Sequence, residues 1–366
     1  MLNSVGKFWA AAFTPVLLNL TMIFCLLCLT PFLTGPFAPA YALAIGVTLA
    51  GVLELFFLLW HIKKSALLFS LLSPFKVFGH LSKDVIILLK KMAPGVLGSG
   101  VYQINLFLDT LFVSFVGAGA ISWLNYAHHV FQLPIGIIGV AIGTALLPVL
   151  SKHVKMGELD QANAHLNRGL EISLAMSLPS CVGLFMLAQC IISSLFQYGI
   201  FTPNDTFHTA RALSIFALGL PAYMATKTFA PFFYSRGDTT TPVRIAIIGV
   251  ILNSTLALIF MQFWGYAGIA LATTCSVWIN AFQYLVRLVR HPEFSFDTMF
   301  KFRFPRLLFS VLIMGISIYI LEYLQNLWGL NTTKMIQIIS LIGIVLILLT
   351  IFLKVGLVKV QIQYVL

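Results

Sequence analysis

The feature that most constrains this 366-residue sequence is a succession of apolar runs, each about 20 residues long, whose basic residues fall in alternate connections. A run of that length crosses the hydrocarbon core of a bilayer as a single helix. Ten runs are predicted as spans, at roughly 14–33, 40–60, 90–117, 121–150, 169–196, 208–234, 242–263, 267–288, 306–325 and 335–353. Ten crossings place 19 of the 22 Lys and Arg residues on one side; Arg211 and Lys334 fall on the other and Lys227 inside a span. Basic connections mark the cytoplasmic side. The pattern therefore predicts an all-α polytopic membrane protein with both termini cytoplasmic. Its composition, 60% hydrophobic and 9% charged, excludes the soluble globular classes. The net charge of +11 then reports topology and argues against a nucleic-acid partner.

One span is unlike the rest. In Ser122–Ser151 the residues Ser122, Asn125, His129, Gln132, Gly136, Gly139 and Gly143 recur at steps of three and four, which puts them on one helix face. That face is polar in its first half and free of side chains in its second, with Pro134 between. Such a helix calls for a wet cavity along one half and close helix packing along the other.

A repeat organises the chain. Phe13-Thr14-Pro15-Val16 is followed 27 residues later by Tyr41-Ala42, and Thr240-Thr241-Pro242-Val243 is followed 25 residues later by Tyr266-Ala267. A hairpin recurring six spans later in the same orientation implies a six-helix unit repeated in parallel, as in two-lobed transporters. The third to eighth spans then make a complete unit, and the first two are the last third of an earlier one whose first four helices are absent. Residues 62–84 read as an amphipathic interfacial linker, and 152–168 as a short cytoplasmic helix. Cys25 and Cys28 have C-x-x-C spacing without a second pair, which reads as packing; no metal site and no cofactor are predicted.

Ionisable groups within spans are costly in lipid and face protein or water. Gly98, Tyr102, Asn105 and Asp109 share a face, so Asp109 is a candidate cavity or cation-site residue, or an internally hydrogen-bonded structural acid. Asn253 and Thr273 could complete an oxygen-rich Na⁺ site with it. Lys227 lies mid-span between Pro221 and Pro231 and reads as a cavity cation. His128 and His129 point about 100° apart on a helix, which suits hydrogen bonding or anion contact better than one shared metal. H-E-x-x-H, G-x-S-x-G and P-loop patterns are missing, so the sequence reads as a transporter and not an enzyme.

Asn125-Tyr-Ala-His-His-Val-Phe-Gln-Leu-Pro-Ile-Gly with Gly143-Thr-Ala-Leu-Leu-Pro-Val-Leu-Ser resembles the eighth-helix signature of the MurJ (MviN) lipid II flippases. Met92-Ala-Pro-Gly-Val-Leu-Gly, Gln103-Ile-Asn, Ser194-Leu-Phe-Gln-Tyr-Gly and Ala230-Pro-Phe-Phe-Tyr-Ser-Arg-Gly-Asp match in the same order. The resemblance implies a remnant of an N-terminal lobe at 1–61, a cytoplasmic linker at 62–89, a six-helix lobe at 90–290 and two helices forming a lipid-tail groove at 291–366. It also implies transport of lipid II, an undecaprenyl-diphosphate-linked peptidoglycan precursor, across the bacterial cytoplasmic (inner) membrane by alternating access. Coupling to a Na⁺ or H⁺ gradient or to the membrane potential is implied as well, with lipid II and membrane lipids as the partners. The substrate cavity is expected to be lined by Asn125, His128, His129, Gln132, Lys227 and Asp109, cations holding the diphosphate. The chain departs from the family pattern where Asp-Arg is replaced by His128-His129 and Glu by Gln132. Arginine is always charged and forks onto phosphate, whereas histidine is charged only in part near neutral pH. The alternatives are another lipid-linked polysaccharide or multidrug exporter of the same superfamily, or a truncated, non-transporting remnant.

Overall fold

The structure, a computed structural model, describes residues 8–35, 37–64, 100 and 103–328. The chain divides into two compact units, Met1–Ile86 and Ile87–Leu366. In the first, α1 (Phe8–Leu29) and α2 (Ala38–Lys64) form a hairpin joined through a 3-10 turn at Thr30–Phe32. The buried residues of α2 are Ala38, Ala42, Gly46 and Ala50, one every fourth position. This small-residue stripe lets the backbones approach, and a Cβ on Gly46 would lie 3.2 Å from that of Cys25. The predicted linker lies almost wholly outside the described residues; its first positions, 62–64, continue α2.

The second unit begins, among the described residues, with a helix over 103–114 (α3). There follow α4 (Ala120–Pro134), a π-helical turn (Ile135–Gly139), α5 (Val140–Met156), α6 (Leu159–Met186), α7 (Ala188–Phe196), α8 (Pro203–Ala217), α9 (Leu220–Ser235), α10 (Thr240–Trp264), α11 (Tyr266–Val289) and α12 (Thr298–Trp328). Seven helical segments among the described residues are long and apolar enough to cross a membrane, among them Ala120–Met156, which runs through the π turn. The predicted span 208–234 is instead two helices, α8 and α9, broken at Leu218-Gly219 ahead of Pro221. The separate short helix expected over 152–168 does not form either. Gly157, in the left-handed region at φ 75°, ends α5, and α6 then runs unbroken from Leu159 into the bundle. The predicted tenth span, 335–353, lies outside the described residues.

Pro134 explains the break between α4 and α5. It has no N–H to return to the carbonyl four residues back, and the widened π turn that follows absorbs the misfit. Of the glycines on the patterned face, Gly136 has open space around it, while Gly139 and Gly143 lie against α9. A Cβ on Gly139 would sit 3.0 Å from Met224 Sδ and 3.7 Å from Lys227 Cγ, and one on Gly143 3.6 Å from the Lys227 carbonyl oxygen. Pro231 withholds the N–H that this carbonyl would otherwise receive, so α5 packs against α9 where its backbone ladder is interrupted.

The α10–α11 hairpin turns on one residue, Gly265 (φ 56°, ψ −133°), a conformation that disfavours any Cβ. Three residues on, a Cβ at Gly268 would overlap the Phe260 carbonyl. Helix α12 lays Leu307, Val311, Met314 and Ile318 along α6 and leaves Phe309, Leu312 and Ile316 exposed. Its start is tied down by polar contacts. Arg303 and Arg168 both bond Glu171, at 3.1 and 2.7 Å, and Asn163 and Asn167 donate to the Ser295 carbonyl, each at 2.9 Å.

Helix α8 opens with a capping box. Asp205 accepts from the Thr202 backbone N–H at 2.9 Å and returns its own backbone N–H to Thr202 Oγ1. Hydrogen bonds from the Thr202 hydroxyl and the Trp123 indole hold the Asp205 carboxyl below the usual carboxylate range.

These contacts lead to two predictions. Gly268→Ala should lower unfolding stability in micelles by about 1–3 kcal/mol, since only backbone can yield there. Gly183→Ala, at a helical site with open space around it, should be neutral or stabilising by up to about 1 kcal/mol. Equal losses in both would contradict this packing. For Asp205 a depressed pKa stabilises the fold above the unfolded carboxylate value and loses that contribution as pH falls through the folded one. The stability gap between the native protein and Asp205→Asn should therefore be present at pH 7 and shrink below about pH 4.

Candidate functional site

The second unit encloses a cavity of about 550 Å³ walled by α3, α4, α5, α8, α9, α10 and α11. Much of its lining is apolar, including Leu124, Phe131, Phe216 and Ile269. Two polar poles interrupt that wall.

The first is anionic. Asp109 and Asn105 are one turn apart on α3, and the Asn105 amide donates to Asp109 Oδ2 at 3.2 Å. From α10, Asn253 Nδ2 donates to Asp109 Oδ1 at 2.7 Å and to Asn105 Oδ1 at 3.0 Å. Asn253 is 2% exposed, and its own Oδ1 is a buried acceptor without a protein donor. The pole thus gathers a carboxylate and two amide oxygens, the ligand type that hard cations prefer. Thr273 lines the same cavity, but its hydroxyl is turned back onto the Ile269 carbonyl at 3.1 Å.

The second pole is Lys227 on α9. Its aliphatic stem lies on the Gly139–Gly143 surface, and its ammonium stands 5.5 Å from the centre of the Tyr223 ring. Tyr234, Asn280 and Tyr284 continue the polar lining beyond it.

Of the residues singled out from sequence, Asp109, Asn125, His128, Lys227, Asn253 and Thr273 all line this one cavity. His129 and Gln132 are exposed and lie outside its lining, as do Ser122 and Gly136. His128 is the inward member of the histidine pair. It packs beside Phe131 and Phe216, and its Nδ1 lies 3.3 Å from Gln132 Nε2. The cavity therefore takes Asn125 and His128 from α4 and leaves His129 and Gln132 outside its lining. Asn280, Tyr234 and Tyr284 were not singled out from sequence, because each stands alone among apolar neighbours and only the α9–α11 packing brings them to the cavity.

A multi-pass helical membrane protein with a two-poled polar cavity inside a kinked bundle belongs to the class of transporters. A family model described as "Lipid II flippase MurJ" matches residues 1–339. Relatives named probable lipid II flippase MurJ, from Rickettsia prowazekii (strain Madrid E) and Rhizobium tropici, are 34% and 36% identical to it over 94% and 90% of this chain. A solved structure described as "Lipid II flippase MurJ, inward closed conformation" superposes with a TM-score of 0.75 at 30% identity, covering 96% of this chain and 69% of that one. A MOP superfamily transporter from Pyrococcus furiosus superposes over 72% of this chain with a TM-score of 0.51 at 15% identity, a likeness of fold alone. The chain belongs to the MurJ lipid II flippase family. It spans 67% and 60% of the length of the two relatives.

The anionic pole yields a direct test. Asn253→Ala should cost about 1–3 kcal/mol of unfolding stability, because the Asp109 carboxylate loses a donor in a buried setting. Asn253→Asp should cost more, by placing two carboxylates side by side. Denaturant unfolding in micelles measures both, and two unaffected variants would show that Asn253 is not Asp109's structural partner.

Proposed function

We propose that this chain moves lipid II, a polyprenyl-diphosphate-linked peptidoglycan precursor, from the cytoplasmic to the outer leaflet of the bacterial cytoplasmic membrane by alternating access. Membership of the flippase family supports the substrate. The observation that carries the reading to particular residues is Lys227, a cation held within a largely apolar cavity where it can receive a diphosphate. Charge-assisted hydrogen bonds from Lys227, with neutral ones from Asn125 and His128, are the recognition chemistry available in that wall. His129 and Gln132, exposed on the same helix outside the cavity lining, offer a second contact surface for the headgroup. The basic ends of α5, α9 and α11 face the cytoplasm in this reading, as the charge distribution favours.

Coupling to a cation gradient is assigned to the anionic pole. A Na⁺ ion among Asp109, Asn105 and Asn253 would satisfy the orphaned Asn253 oxygen and the carboxylate together; a proton on Asp109 is the other way to neutralise it. Transport needs no covalent chemistry, so each residue here binds, orients or neutralises.

Reconstitution in vesicles with fluorescent lipid II tests the reading. Lys227→Met should slow translocation at least about tenfold, the equivalent of one charge-assisted contact, while Lys227→Arg retains a measurable rate. Translocation unaffected by Lys227→Met would overturn the assignment. Na⁺, but not choline, should raise the unfolding temperature by mass action, and Asp109→Asn should abolish that rise.

A further inference from the structure

Helix α11 carries a polar row that extends past the groups assigned to transport. Thr273, Ser276, Asn280 and Tyr284 follow one another at steps of three and four, and all of them line the cavity. Gln283 and Arg287 continue the row to the last turn of the helix, at the basic end of the lobe. From Asn280 to Arg287 these side chains fall within about 100° of helix rotation, so they share one face. That face is fixed by its neighbours. Ser276 Oγ donates to the Gly249 carbonyl on α10 at 2.8 Å, and a Cβ on Gly249 would overlap the Asn280 amide. Tyr284 is buried with its ring against Phe233 of α9, centres 5.8 Å apart.

What the row lacks is partners. Asn280 Oδ1, Gln283 Nε2 and Arg287 Nη1 are buried and meet no hydrogen-bond partner among the described residues. A side-chain amide can exchange its O and N by a flip, but a guanidinium only donates. The partner missing at Arg287 is therefore an acceptor. Arg168, Arg236 and Arg303, also at the basic end, are each paired with a carboxylate; Arg287 has no such pair among the described residues. The Asp238 carboxylate is engaged at the start of α10, where it accepts the Thr241 N–H at 3.0 Å. An arginine in a last turn suits the helix dipole, yet the dipole supplies no acceptor for a buried N–H. Arg287 as a whole is half-buried and Arg290 is exposed, so the face passes from closed to open at this end.

We propose that Asn280, Gln283, Tyr284 and Arg287 form an oxyanion subsite at the basic end of the cavity, separate from Lys227. Phe233, which marks the level of Tyr284, lies six residues beyond Lys227 on α9, about 9 Å along the axis. The ligand is a phosphate oxyanion. Guanidinium and phosphate match as a fork of parallel charge-assisted bonds, and the amide and phenol donors of the same face can take further oxygens. A headgroup entering from the basic end meets this face before it reaches Lys227. That the oxyanion belongs to a lipid-linked diphosphate rests on the transport reading above; that the face binds an oxyanion does not.

Calorimetry on the full chain in detergent micelles tests the subsite with two probes, inorganic diphosphate and a short-chain polyprenyl diphosphate. Arg287→Gln should weaken binding at least about tenfold, and Arg287→Lys should regain only part of it, because an ammonium lacks the fork. Gly249→Ala, which pushes on the Asn280 amide without changing its chemistry, should weaken binding as well. Arg290→Gln removes the same charge from an exposed neighbour and should have far less effect. Arg287-dependent binding of either probe supports the subsite: the lipid-linked probe alone assigns it to a lipid headgroup, the inorganic ion alone to a free anion. No Arg287-dependent binding of either probe, or equal losses in Arg287→Gln and Arg290→Gln, would overturn it. Binding lost in Lys227→Met but intact in Arg287→Gln also overturns it and leaves the transport reading standing; the reverse result upholds the subsite and removes Lys227 from that reading. Should Arg287→Gln fail to fold, hydrogen exchange of the native chain decides. Diphosphate should raise the protection of amides in the last turn of α11, and unchanged protection there would overturn the proposal.

Discussion

The second unit depends on how closely α5 can lie against α9. Gly139 and Gly143 present no side chain, and the Lys227 stem and carbonyl fill the space they leave. A Cβ at Gly139 would press on the Met224 side chain, which would have to give by a few tenths of an ångström. Two prolines make that contact possible. Pro134 interrupts the hydrogen-bond ladder just ahead of the π turn, and Pro231 leaves the Lys227 carbonyl without its helical donor. In water such backbone gaps would be filled by solvent. In lipid they persist only where protein or a wet cavity covers them, which ties the kinks, the glycines and the cavity into one arrangement.

The same constraint governs the polar groups. Asp109 is tolerable within an apolar bundle because Asn105 and Asn253 direct amide hydrogens at both of its oxygens. Their arrangement leaves the Asn253 oxygen, among the described residues, without a donor. Lys227 is handled differently: its ammonium stands over the Tyr223 ring and its stem lies beside Gly139. At the bundle's basic end, ion pairs fasten helices: Glu171 holds Arg168 and Arg303, and Glu293 holds Arg236 at 2.8 Å. The interior therefore places Asp109 and Lys227 along one cavity, and the rim has charges that bind one helix to the next.

Much of this arrangement was legible in the order of residues. Period and composition identified the patterned span, and two of its three glycines, Gly139 and Gly143, do lie against a neighbouring helix, whereas Gly136 is exposed with open space around it. Asp109, Asn253, Thr273 and Lys227 were legible as polar groups inside apolar runs, because lipid tolerates such groups only where they turn towards protein or water. The break at Leu218-Gly219 was not legible, since an apolar average conceals a change of helix direction. Nor was the unbroken start of α6, where a polar composition that suggests a separate helix proves to be the first turns of a long one.

Sequence by itself determined the all-helical class, the alternation of basic and apolar connections and the family, because each depends on local composition or on motifs read along the chain. Tertiary structure alone decided which histidine turns inward. Residues 128 and 129 differ by about 100° of helix rotation, and only the positions of α8 and α9 make one of those directions a cavity. It also decided that Trp123 finds Asp205, 82 positions away, and that Asn253 finds Asp109, 144 away. Helical periodicity assigns a residue to a face; it carries no information about which distant helix will cover that face, and the chemistry of both clusters lies in that pairing.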